Sequence, residues 1–304
     1  MTPADARLRD GFPHHVDPAT APVLAQQRAA LALGRPARAE SLPNPLSTPE
    51  HQAVHALLAL ATGFPSKAKA RLVDVELSDT AAWVGLLASE VARGTGDAAL
   101  AVQHAGAVRQ RVATFEGPET RWVHRADLQL ARSLADAGDP ATGRVLAEGV
   151  VARLVPDDLD TRPVEELSLT FAEALDAAGA LARKTHDPLA AIPMHDRART
   201  IYERALGPNA PRTAGCRYSL AHALHRAGDF QRALTEMQAA FLATVEAYGS
   251  DHLDVWITRF ELGRLEVDAG EMLEGFPRME AARAEVAKRL GVQHPVVRAM
   301  DRHL

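Results

Sequence analysis

Residues 213–249 read TAGCRYSLAHALHRAGDFQRALTEMQAAFLATVEAYG. Leu220, Ala221 and Leu224 share one face of a helix, and Ala233, Met237 and Ala240 share one face of a second. Gly228-Asp229 lies between them. A glycine there supplies the positive φ that ends the first helix, so the segment is predicted to be a helical hairpin. One hairpin cannot cover its own apolar face, so the chain must supply neighbours that stack on it.

Those neighbours are visible as a fixed period. Gly96-Asp97, Gly138-Asp139, Gly228-Asp229 and Gly270-Glu271 each follow an Ala/Leu-rich stretch. A second marker closes each unit, as in Gly207-Pro208-Asn209-Ala210-Pro211, Gly249-Ser250-Asp251-His252-Leu253 and Gly291-Val292-Gln293-His294-Pro295. Gly207 to Gly249, Gly249 to Gly291, Gly228 to Gly270 and Gly96 to Gly138 are all 42 residues apart. The step from mid-unit glycine to end glycine is 21 at Gly96–Gly117, Gly228–Gly249 and Gly270–Gly291. A repeat of this kind predicts an all-α, right-handed solenoid of about seven antiparallel hairpins.

The segment Thr213–Gly249 resembles a tetratricopeptide repeat through Leu220-Ala221, Leu224, Gly228, Phe230, Ala233, Met237 and Ala240. The next unit matches at Leu262-Gly263, Gly270, Met272 and Ala282, and departs at Glu266 and Gly275. The earlier unit matches at Leu130-Ala131, Leu134 and Gly138. The 42-residue period resembles the kinesin-light-chain variety. The resemblance implies a binding scaffold. Tyr218-Ser219 and Phe260-Glu261 stand where that variety carries a groove-lining Asn pair, so its cargo preference does not carry over.

First helices are expected near 18–33, 48–62, 78–93, 118–136, 163–183, 213–227 and 254–269. Their partners are expected near 36–42, 66–74, 97–115, 140–154, 188–206, 230–247 and 272–290, with a cap at 295–303. Val155 to Gly207 spans 52 residues where 42 is regular, and the surplus is assigned to 179–188, lengthening the 163–183 helix. Residues 1–17, rich in Pro, Gly and charge, read as a flexible arm, 18–75 as short degenerate hairpins forming an N-terminal cap, and 76–304 as the solenoid proper with its C-terminal capping helix.

Composition narrows the function. Ala and Leu dominate an aromatic-poor chain, with aromatics at 5%. A formal net charge of −5 and the lack of any basic run argue against nucleic acid as a partner. No stretch resembles a signal peptide or a membrane span, so no membrane partner is expected and the reading is cytoplasmic. The lone Cys216 fits a reducing compartment. The Ala and Arg content suggests a GC-rich, bacterial source.

Few constellations suggest chemistry. His51 and His55 share a helix face, as zinc ligands do, but EHQAVH lacks the general base of HExxH and no third ligand is indicated, so two surface histidines are expected. Cys216 has no evident His or Asp partner in the sequence and reads as a small core residue. Gly94-Thr95-Gly96 is an interhelical turn, not a phosphate cradle. Trp83, Trp122 and Trp256, near first-helix starts, read as packing between repeats. Neither catalysis, a bound metal nor a cofactor is expected.

The expectation is therefore a non-catalytic scaffold or adaptor for a protein or peptide. Arg132, Glu173, Asp176, Tyr218, His222, His225, Phe260 and Arg264 would line its concave face. Self-association is left open. The alternative is a regulator sensing a peptide or small ligand through the same groove.

Overall fold

The computed structural model describes residues 49–61, 65–73, 75, 82–116, 121–155 and 169–304. Among them the regular elements are all α-helices: α1 Pro49–Ala61, α2 Pro65–Leu72, α3 Ala82–Gly94, α4 Ala98–Glu116, α5 Arg121–Asp136, α6 Pro140–Leu154, α7 Leu169–Lys184, α8 Pro188–Leu206, α9 Pro211–Arg226, α10 Phe230–Tyr248, α11 Leu253–Asp268, α12 Met272–Leu290 and α13 Pro295–Met300. They pair as hairpins of a tetratricopeptide-like α-solenoid, in the order the 42-residue period predicts. The expected arm at 1–17 and hairpin at 18–42 lie outside the described residues.

The mid-hairpin turn explains the repeat signature. Gly96, Gly138, Gly228 and Gly270 have φ of 80°, 98°, 86° and 95°, a region costly for a side chain. The next residue's N–H then reaches back five residues, as from Asp229 to the Leu224 carbonyl at 2.9 Å, closing the helix end. The same aspartate starts the next helix, its carboxylate accepting from Thr142 N at 3.1 Å in α6 and from Arg232 N at 3.3 Å in α10. In the second loop His252 and His294 serve as caps, Nδ1 accepting from Asp254 N at 3.1 Å and Val296 N at 3.3 Å.

One hairpin makes its turn without glycine. His186 takes φ 65° at the end of α7, and Asp187 caps α8. From His186 to Gly207 is the regular 21 residues, and α7 has 16 residues, as α9 and α11 do. The assignment of the surplus to 179–188 is therefore corrected. Those residues are ordinary helix and turn, and the extra length lies ahead of Leu169. A histidine in a glycine's place hid the turn from a count based on glycines.

The chain divides into two compact units, residues 1–129 and 130–304, with the division inside α5. In the first, Trp83, Val84, Leu87 and Val91 pack with Val54 and Ala56, and Arg109 is ion-paired with buried Asp127. In the second, the core runs through Phe171, Leu175, Ile201 and Tyr202, then Leu220, Leu224 and Met237, then Phe260, Met279, Val286 and Val297. Burying each such side chain contributes about 1.5–3 kcal/mol. Gly275 permits close packing of α11 on α12, for a Cβ there would stand 2.6 Å from the Gly263 carbonyl oxygen. Glu266, at a place the repeat gives to a large apolar residue, is buried and ion-paired with Arg278. No helix among the described residues is long and apolar enough to cross a membrane.

Candidate functional site

The first helices of the second unit, from the end of α5 through α7, α9 and α11, carry a ladder of polar side chains. Arg132 on α5 meets Glu173 on α7 at 3.4 Å, and Glu173 also meets Arg212 on α9 at 3.5 Å. Lys184 pairs with Asp136 at 2.7 Å. Between α9 and α11, His225 Nε2 lies 2.9 Å from Asp268 and His222 Nε2 lies 3.6 Å from Glu261. Arg264 spans this group, donating to Glu261 at 2.8 Å and Asp268 at 3.1 Å. A guanidinium can only donate, so Arg264 at 3.3 Å from His222 Nδ1 assigns that nitrogen as acceptor and places the ring proton on Nε2, toward Glu261. Tyr218 packs edge-on against His222, ring centroids 4.6 Å apart.

Seven of the eight residues expected on this face lie in polar or aromatic contacts. Phe260 does not. It is fully buried among Leu253, Met279 and Val297, so its assignment to a binding face is corrected: it is a core residue. His222 is itself 9% exposed. Burial, then the charges of Arg183 and Arg264, hold its imidazole well below the usual histidine range. His225 is shifted the same way, by burial and Arg264, against the pull of Asp268. Burial pushes the Tyr218 phenol upward. A Tyr218→Ala/His222→Ala pair would thus remove packing as well as contacts, and Tyr218→Phe with His222→Gln is the cleaner probe.

Two arginines complete the group. Arg183, at the last turn of α7, has its Nε buried without a hydrogen-bond partner. Burial works against its charge, and so does nearby Arg226, while Tyr218 and Glu261 favour it. Arg226 donates to the Arg183 carbonyl at 3.2 Å. Sequence reading passed over both. Their position, one turn from the hairpin turn on the same face as His222 and His225, is the signal that could have found them.

Cys216 has neighbours the sequence did not reveal. Asp176 Oδ1 lies 2.8 Å from His195 Nδ1, and the Cys216 thiol lies 3.2 Å from the His195 carbonyl oxygen as donor. Burial, reinforced by Asp176, pushes that thiol far above its usual range. Burial also acts to raise the Asp176 carboxyl, but hydrogen bonding by His195 and the charge of Arg132 hold it below its usual value. With Nδ1 turned to Asp176 and the thiol turned to a carbonyl, this is not the dyad of a thiol nucleophile and its base. His55 lies on α1, and among the described residues no group of three ligating side chains includes it. The tryptophans pack as expected: Trp83 is buried, and Trp122 and Trp256 border neighbouring clusters.

A tetratricopeptide-repeat family model matches residues 170–241. No curated protein matches the sequence. Among solved structures, a Rap protein complexed with Competence and Sporulation Factor aligns with TM-score 0.58 and 14% identity, covering 99% of this chain and 88% of that one. BtubC from P. vanneervenii aligns with TM-score 0.53 and 15% identity, covering 82% and 92%. The kinesin-light-chain-like repeats of Podosopora anserina align with TM-score 0.51 and 19% identity, covering 67% and 93%.

Proposed function

We propose that this chain, whose residues 170–241 match a tetratricopeptide-repeat model, is a non-catalytic scaffold holding a protein or peptide partner on the first-helix face of residues 130–304. The contact would run across Tyr218, His222, His225 and Arg264, with Arg132 and Glu173 along the same ladder. The observation that carries this is the Arg183 guanidinium, whose Nε is buried without a hydrogen-bond partner beside a second arginine, Arg226. A guanidinium in that setting favours an incoming carboxylate or phosphate. The partner segment is accordingly acidic where it crosses α7 and α9.

The similar Rap protein was captured complexed with Competence and Sporulation Factor, which supports reading this fold as one that holds a partner. A scaffold also suits the local chemistry, since His222 and His225 lie against Glu261 and Asp268 with their imidazoles held below the usual histidine range. A random-peptide library panned on the full chain tests the reading. Peptides bearing Asp, Glu or phosphate should be enriched, and Arg183→Glu should remove the enrichment. Enrichment of basic peptides, or equal recovery on both proteins, would overturn it.

A further inference from the structure

The second unit carries its own internal standard, because residues 42 apart fill the same place in α7/α8, α9/α10 and α11/α12. Where α11 has buried Phe260 and α9 has Tyr218, α7 has Asp176. Where α12 and α10 place buried Met279 and Met237, α8 places His195, with no exposed surface. Where α11 has Thr258, α9 has Cys216, also fully buried. So this part of the stack has a part-buried carboxylate and a fully buried imidazole in places its sister repeats fill with large side chains, beside Cys216, which packs with Phe171, Leu175, Ile201 and Tyr202. Burying such groups is unfavourable unless their polar atoms are satisfied. Asp176 Oδ1 and His195 Nδ1 answer each other at 2.8 Å, while His195 Nε2, on the far side of the ring, stays buried without a partner. Glycine makes the room: a Cβ on Gly179 would stand 2.9 Å from that nitrogen. One donor atom from each of Asp176, His195 and Cys216 lies within 4.8 Å of the other two.

We propose that Asp176, His195 and Cys216 form a binding site for one divalent transition-metal ion, zinc fitting best, clasping α7, α8 and α9. Imidazole nitrogen, thiolate sulfur and carboxylate oxygen are the donors zinc takes, at about 2.0–2.3 Å each. The thiolate selects against magnesium and calcium, which want oxygen. Charge balances as well: ionised Asp176 and Cys216 together offset the two positive charges of the ion. On binding, the thiol proton leaves to solvent and the neutral imidazole shifts its proton from Nδ1 to Nε2, freeing Nδ1 as ligand. No electron is transferred. The fourth position opens where Asp176 is 24% exposed, leaving room for a water ligand. The site is independent of the peptide-binding reading.

The test uses the full chain, stripped with chelator and then titrated with zinc or cobalt(II) alone. His195→Met and Cys216→Thr install the residues of the sister repeats, so both variants should keep the fold, which circular dichroism checks. Wild type should retain about one zinc per chain after dialysis and unfold at a higher temperature with zinc. Its cobalt adduct should show a thiolate charge-transfer band that Cys216→Thr lacks. Cys216 is the only cysteine, so that band alone identifies the ligand even if a variant misfolds. A wild-type chain that retains no more metal than the double variant, or a cobalt adduct without the thiolate band, would overturn the proposal.

Discussion

The hairpins α7/α8 and α11/α12 share a backbone plan and differ in what they enclose. Both have first helices of 16 residues and second helices of 19, with a positive-φ residue between them. In α11/α12 the equivalent core places hold Phe260 and Met279, fully buried. In α7/α8 they hold Asp176 and His195, hydrogen-bonded at 2.8 Å, with Cys216 of the next helix beside them. The turn chemistry therefore sets the hairpin and leaves the interior free to differ, provided volume is filled and most polar atoms find partners. A register position identifies a place in the stack without fixing its environment.

The largest effect should come at the apolar member of the pair. Phe260→Ala should destabilise the protein by about 3–5 kcal/mol in urea unfolding, because it opens a cavity in a closed cluster. Asp176→Ala, at the same register place and in chelator-treated protein, should cost about 1–3 kcal/mol, chiefly from leaving His195 Nδ1 without its acceptor. A greater loss at Asp176 than at Phe260 would break the comparison.

Gly179 sharpens it next. Gly179→Ala should cost about 1–3 kcal/mol, since the methyl would press on the His195 ring. Adding His195→Met recreates the Ala221/Met237 pairing of the next repeat and should recover most of that loss. Purely additive effects in the double-mutant cycle would contradict this packing. A smaller contrast lies at the turns. Asp229→Ala removes the α10 cap and should cost about 1 kcal/mol, while Glu271→Ala should stay within about 0.5 kcal/mol because Glu271 caps no backbone group.

A titration is the gentlest probe, since it leaves the chain unchanged near neutral pH. Folded His222 is held below its unfolded value of 6.5 by burial and by Arg183, Arg264, His225 and Arg226. As pH falls through 6.5 the unfolded chain takes up a proton that the folded chain refuses, so stability declines from there downward until the lower folded value is reached. His222→Gln should flatten that decline. An unchanged slope would mean that other groups set it.

The fold was legible because the 42-residue period rests on Gly-Asp turns that both end and start helices. The histidine face was legible because Tyr218, His222 and His225 follow one stripe of α9, and Arg264 meets them from α11. Phe260 sits in the same register as Tyr218 but lies against Met279 and Val297 in the last full repeat, contacts that no local pattern encodes. The Asp176–His195–Cys216 cluster joins three helices and could be read only by aligning the repeats and noting a histidine where methionine is the rule. His186 hid a turn because its positive φ is one that glycine usually supplies.

The most direct test of the central claim is a 1H–15N chemical-shift titration of the full chain with an acidic peptide recovered from the library. Shifts should concentrate on α7 and α9 around Arg183, Tyr218, His222 and Arg226, and extend to Arg264 on α11. Shifts concentrated on the second helices α8, α10 and α12 instead would contradict a binding face built from the first helices.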